Sequence, residues 1–187
     1  MTTIVKWIGF SAVVFSLIAP AMAQSPSPHA GETARAVKAL SAEETRDLLE
    51  GRGMGLAKAA DLNRYPGPSH ILELATQLGL SEADTAAVRK VFEAMRIEAR
   101  ALGAEIVAAE GELDRLFAHG HAGAATVESL TAKIGALQGK LRAVHLKAHL
   151  AIRPMLTAET VARYDALRGY AGEGALGQNP RAPAHRH

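Results

Sequence analysis

Apolar residues recur through the middle of this chain in alternating steps of four and three. Between Glu82 and Phe117 they fall at Val88, Phe92, Met95, Ala99, Leu102, Ile106, Ala109, Leu113 and Leu116. From Thr126 the pattern returns at Val127, Leu130, Ile134, Leu137, Leu141, Val144, Ala148, Ala151 and Met155. Such spacing holds one apolar seam along one side of an α-helix. The two seams are separated by the turn-like Ala118-His119-Gly120-His121-Ala122-Gly123, so they predict two long helices folded back as an antiparallel hairpin. At 1.5 Å per residue the first would be roughly 50 Å long. That is more seam than one small core requires, and the strip is wider than two helices can cover, so a homodimer is expected.

The register of the hairpin can be read from charges outside the seam. Pairing Leu116 with Val127 sets the same register as pairing Leu102 with Leu141. In it, a flanking column of Glu98, Glu105 and Glu112 meets Lys147, Lys140 and Lys133 in order. Exposed pairs of this kind contribute ~0.2–1 kcal/mol each, so their expected role is to fix register more than to add stability. His145 falls on the side away from this ladder, facing Gly103.

Three helix entrances share one local pattern: Leu40-Ser41-Ala42-Glu43-Glu44, Leu80-Ser81-Glu82-Ala83-Asp84 and Leu156-Thr157-Ala158-Glu159-Thr160. In each a hydroxyl can accept from a freed backbone N–H, and carboxylates in the first turn suit the helix dipole. A shorter helix is predicted from Pro68 or Ser69 to Leu78, entered by Tyr65-Pro66-Gly67-Pro68 and stopped at Gly79. Period-two runs of β-branched residues are missing, so the fold class is all-α, a long hairpin with shorter flanking helices.

The ends read differently. Lys6, an apolar run of thirteen residues from Trp7 to Ala19, and Ala21-Met22-Ala23 before Gln24 have the order of a secretory signal peptide, 1–23, cleaved after Ala23. A bilayer core needs about 20 apolar residues in a helix, which makes retention as an anchor the lesser alternative. Cutting 187 residues after position 23 leaves 164, enough for one domain with a core. Residues 24–39 and 171–187 mix Ser, Pro, Gly and charge without apolar period and are expected to be flexible segments around a helical domain at 40–170.

Of 21 basic residues, removal of Lys6 leaves 20 against 19 acids, a nearly neutral chain. Its aromatics are then only Tyr65, Phe92, Phe117, Tyr164 and Tyr170. Without a basic stripe or stacking rings, nucleic acid is not an expected partner. The chain has no cysteine, so neither disulfides nor thiolate chemistry is available to it.

Taken together, the entrances at Leu80 and Leu156, the stretch from Gly51-Arg52-Gly53-Met54-Gly55 to Tyr65-Pro66-Gly67-Pro68, and His145-Leu146-Lys147-Ala148-His149 ahead of Arg153 resemble the periplasmic heavy-metal sensor and resistance family, relatives of Spy, CpxP and ZraP. The resemblance covers roughly residues 40 to 170. The Gln of that family's LTxxQ motif is Asp84 in one copy here and Thr160 in the other. It implies an intertwined helical dimer in the periplasm with a cradle-like surface, without enzymatic activity and with no obligatory cofactor. The expected role is binding unfolded envelope proteins, responding to metal stress, or both. The alternative is a dedicated metal sensor or metal buffer acting through a membrane signalling partner. The ligand positions of the family's cobalt and nickel sensor branch fall here on Ile71, Ala75, Ala148 and Ile152, all apolar, so that branch's coordination does not carry over.

The metal-ligating candidates are therefore read from this chain's own histidines. His145 and His149 lie four apart, a spacing at which two rings on one helix reach one ion, and His70 or Glu73 on the short helix could supply a third ligand. Zinc, copper, nickel and cobalt are the ions to consider. The competing reading makes both histidines solvated residues beside the seam. His185 and His187 in the tail form a His-x-His that could hold copper or nickel weakly, against the plainer reading of an inert tail, and His119 with His121 at the hairpin tip read as polar turn residues. Gly51, Gly53 and Gly55 follow a helix and not a strand, which makes them a helix stop and joint, not a phosphate loop. No nucleophile with a base and an orienting group appears, so no catalytic residue is assigned.

Overall fold

The computed structural model describes residues 27–170. The expected leader and cleavage point, and the tail with His185 and His187, lie outside the described residues. Residues 27–31 make a turn of their own, closed by the Ala30 N–H donating to the Ser27 carbonyl at 2.9 Å.

From Glu32 onward the described residues are helical, with no strand. The helices are α1 (Ala42–Glu50), α2 (Lys58–Asp61), α3 (Pro68–Glu73), α4 (Ala75–Leu78), α5 (Glu82–Ala118), α6 (Ala124–Ile152) and α7 (Ala158–Leu167), with a 3-10 turn at Arg153–Met155 between the last two. The three hydroxyl entrances are all N-caps. Ser41 accepts from the Glu44 N–H at 3.0 Å and completes a capping box, Ser81 accepts from Asp84 at 3.1 Å, and Thr157 accepts from Thr160 at 3.1 Å. Gly51 and Gly79 close α1 and α4 in the left-handed conformation, which glycine adopts without penalty.

Helices α5 and α6 form the antiparallel hairpin, and α5, with 37 residues, is about 55 Å long. Its core draws Met95, Ala99 and Ile106 from one helix and Leu137, Leu141, Val144 and Ala148 from the other. A second cluster caps the open end with Ile71, Leu78, Val88, Ile152, Leu156, Val161 and Tyr164. Five details differ from the sequence expectation, the last of them at Gly103. At the end of α6 the buried positions are Ile152 and Leu156, while Ala151 and Met155 are exposed. A straight helix turns less per residue than a 3.5-residue seam assumes, and the accumulated lag passes the contact to the next residue. The Glu98, Glu105, Glu112, Lys133, Lys140 and Lys147 side chains are exposed, and no ion pair joins them among the described residues, because water screens such long side chains and their freedom opposes pairing.

The third difference is a break at Leu74, which divides the expected 68–78 helix into α3 and α4. The fourth concerns the segment before α1. From Val37 to Leu40 it lies along α5, with Lys38 paired to Asp114 at 3.1 Å and Leu40 against the hairpin core.

Gly103 explains how α1 docks. A Cβ there would overlap the Leu48 carbonyl, so the C-terminal end of α1 lies directly on α5 at this position. Arg100 Nε donates to the Leu49 carbonyl at 3.2 Å and Arg96 Nε to that of Glu50 at 3.4 Å, satisfying carbonyls that the helix end leaves free. Gly103 therefore faces Leu48 and not His145, as the sequence register had placed it.

Candidate metal centre beside the hairpin

Stepping one residue on from the seam positions Val144 and Ala148 turns His145 and His149 toward the flank of α6. There the chain from Glu50 to His70 folds over them. The histidines are buried, at 3 % and 8 % exposure, and are not the solvated residues of the competing reading. They form one wall of a cavity of about 520 Å³ whose other walls come from the glycine stretch Gly51–Gly55, from α2, from Gly67 to His70, and from Phe92, Met95 and Arg96 on α5.

His149 is held from two sides. Its Nδ1 lies 2.6 Å from the Tyr65 carbonyl, which can only accept, so Nδ1 carries the proton and Nε2 keeps its lone pair. Its ring rests on Gly67, between Pro66 and Pro68, and all three of these residues are buried. A side chain at position 67 would occupy the ring's place. His145 has no such anchor: its Nε2 is buried and has no hydrogen-bond partner. Burial, with the neighbouring His149 as a lesser cause, holds its pKa below the usual 6.5. A buried imidazole nitrogen without a partner costs free energy, and two imidazoles lining one cavity are donors of the kind a metal ion takes.

His70 lines the same cavity, but both of its nitrogens are engaged. Nε2 accepts from Arg168 Nη2 at 3.3 Å and Nδ1 donates to Glu73 Oε2 at 3.1 Å. That bond is also the first cause holding the Glu73 carboxyl below its usual range. Among the described residues no three His, Asp or Glu side chains are placed to hold one ion, so the structure brings His145 and His149 together and directs His70 elsewhere. His119 and His121 are exposed at the hairpin tip, with ring centroids 6.2 Å apart.

The sequence reading missed the polar cluster beside the cavity. The Asp61 carboxylate accepts from Tyr164 and from Tyr170, each at 2.7 Å, and Arg168 donates to the Tyr170 hydroxyl at 3.2 Å. Asp165 pairs with Arg64 at 2.9 Å. Burial, then the Asp61 carboxylate, push the Tyr164 phenol far above its ordinary range. The cluster ties α2 and α7 together and fixes one end of the chain that covers the histidines. The spacing of Val161, Tyr164 and Asp165 along α7 was the available signal.

No helix among the described residues is long and apolar enough to cross a membrane. Residues 53–163, more than half of the chain, match the family model described as heavy-metal resistance. No curated protein and no solved structure matches the chain.

Proposed function

The chain belongs to the heavy-metal resistance family, and from that premise we propose that it is a non-enzymatic periplasmic protein that responds to metal stress through the cavity at His145 and His149. The observation that carries this reading is the buried, unpartnered His145 Nε2 beside an imidazole whose tautomer is fixed by Tyr65. A hydrogen bond to the far nitrogen of a ligating imidazole is the usual way such a ring is oriented for a metal. An ion held there would touch the walls contributed by the glycine stretch and by Gly67. Its occupation then favours the closed arrangement of that covering chain over a looser one, which is the differential binding that a switch requires.

Export with cleavage after Ala23 belongs to the same reading, as does a homodimer. The dimer is supported by α6, which is apolar on two sides. Opposite its core seam, Ala132, Ala136, Gly139, Ala143, Leu146 and Leu150 share one outward face. A second copy would cover it, and a membrane signalling protein is the partner that would read the metal state.

A second reading, holding unfolded envelope proteins, is favoured by large apolar side chains left in water, among them Ile97, Phe117 and Leu150 at 71 %, 62 % and 58 % exposure. One pair of measurements separates the two. Zinc, copper, nickel and cobalt are titrated calorimetrically into the wild type and into the His145→Ala, His149→Ala double variant, and each protein is assayed for slowing aggregation of a denatured client. A stoichiometric site lost in the double variant supports metal response. Absence of any such site, with client protection by the metal-free protein, replaces it with the second reading.

A further inference from the structure

Two thioethers share the cavity with the histidines. Met95, on the seam of α5, and Met54, in the glycine stretch, line the same space as His145 and His149. We propose that this is a site for a soft monovalent ion, Cu(I) or Ag(I), ligated by His145 Nε2 and by the sulfurs of Met95 and Met54, with His149 as a further imidazole. This rests on the preceding reading that the cavity binds metal, and it names the class of ion.

The argument is one of donor softness and of charge. Thioether sulfur is a neutral, polarizable donor that favours Cu(I) and similar ions over hard or divalent ones, while imidazole serves either kind. Zinc and cobalt sites of high affinity need thiolate, carboxylate or a third imidazole. The chain has no cysteine, and His70 is engaged by Glu73 and Arg168.

The two carboxylates in the walls are committed as well. Glu50 is paired with Arg52 at 2.8 Å, and Asp61 accepts from two tyrosines. With Arg52 taken up by Glu50, Lys58 and Arg96 stand against Asp61 and leave the walls a formal excess of one positive charge. Repulsion by that excess is twice as large for a divalent ion as for a monovalent one at the same place. The cavity therefore offers neutral, soft donors in a positive field, and an ion of single charge meets both conditions at least cost. The unpartnered His145 Nε2, almost wholly buried, is the nitrogen such an ion would satisfy.

The test uses the full chain with its methionine methyl groups labelled with carbon-13. Ag(I) serves as an air-stable probe, and Cu(I) is titrated anaerobically against a chromophoric chelator. One Ag(I) per chain is expected, shifting the Met54 and Met95 methyl resonances while that of Met155, which does not line the cavity, stays in place. Met95→Leu, a swap that keeps the apolar volume, removes a ligand and is expected to weaken Ag(I) and Cu(I) by at least the roughly tenfold to hundredfold that loss of an outer partner costs a metal site, and to leave zinc affinity unchanged. His145→Leu is expected to weaken all three ions.

Ag(I) bound without movement of either methyl, or with equal affinity in Met95→Leu, overturns the soft-ion assignment. If zinc still binds through the histidines in that case, the broader metal reading survives alone. If neither ion binds the wild type, both readings fall.

Discussion

The imidazole of His149 rests on the bare α-carbon of Gly67: a Cβ at that glycine would stand 2.8 Å from Cε1 and 2.9 Å from Nε2 of the ring. The Gly67 backbone, at φ −84° and ψ 146°, is one that alanine adopts freely. Gly67→Ala therefore isolates the steric effect. It is expected to push the ring off the Tyr65 carbonyl and to destabilise the fold by about 1–3 kcal/mol, the cost of overfilling a packed site. Urea unfolding gives the energy, and the His149 Hε1 chemical shift reports the ring. An unchanged shift would mean that the ring has room to spare.

Two helical glycines should respond in opposite directions to the same change. Gly103→Ala places a methyl group into the Leu48 carbonyl, so α1 must lift from α5 and give up the bonds from Arg96 and Arg100. A loss of about 1–3 kcal/mol or more is expected. Gly135 on α6 has no atom near its would-be Cβ. There alanine gains helix propensity alone, about 0.5–1 kcal/mol. Thermal unfolding of the two variants decides, and equal shifts would refute the docking of α1 at Gly103.

Tyr164 and Tyr170 share one carboxylate, so their losses should not add. Removing either hydroxyl with phenylalanine leaves Asp61 with the other donor, and each single variant is expected to cost about 1 kcal/mol. The double variant leaves the carboxylate without either hydroxyl and should cost more than the sum. The raised Tyr164 pKa adds a spectroscopic check. In an alkaline titration followed by tyrosinate absorbance, this phenol should ionise only as the protein unfolds.

The hairpin and its three capped entrances were legible because they depend on local chemistry: a hydroxyl three residues before a backbone N–H, and an apolar residue every three or four. The helix break at Leu74 carries no glycine or proline to announce it, and the four-residue α2 is too short for a period to show. The histidine site was half legible. Spacing placed His145 and His149 on one face, but the Gly67 backbone that His149 rests on lies more than seventy residues away in sequence, and a helical pattern holds no information about what lies over its flank. The hydrogen bonds of His70 were hidden for the same reason. Its partners Glu73 and Arg168 come from its own helix and from the far end of the domain, and only the folded chain brings Arg168 to it.

His145 also makes the stability of the protein depend on pH, in a window set apart from the carboxylates. Burial holds its folded pKa below 6.5, and no free carboxylate lines the cavity to hold an imidazolium, because Glu50 is paired with Arg52 and Asp61 with the tyrosines. Below about pH 6.5 the unfolded chain takes up a proton that the folded chain refuses, so the unfolded state binds more protons and stability falls with pH. The contribution is complete above 6.5 and is lost progressively as pH drops toward the folded pKa. One proton limits the slope to about 1.4 kcal/mol per pH unit. Glu44, Glu50 and Glu73, whose carboxyls sit below their usual 4.5, act in the same direction but only near and below that value. Unfolding midpoints between pH 7.5 and 5.5 should therefore decline in the metal-free wild type and decline less in His145→Gln, which cannot titrate. A wild type and variant with parallel profiles would show that the imidazole is reached by water or by a partner that accepts its charge, and the buried, neutral His145 would have to be given up.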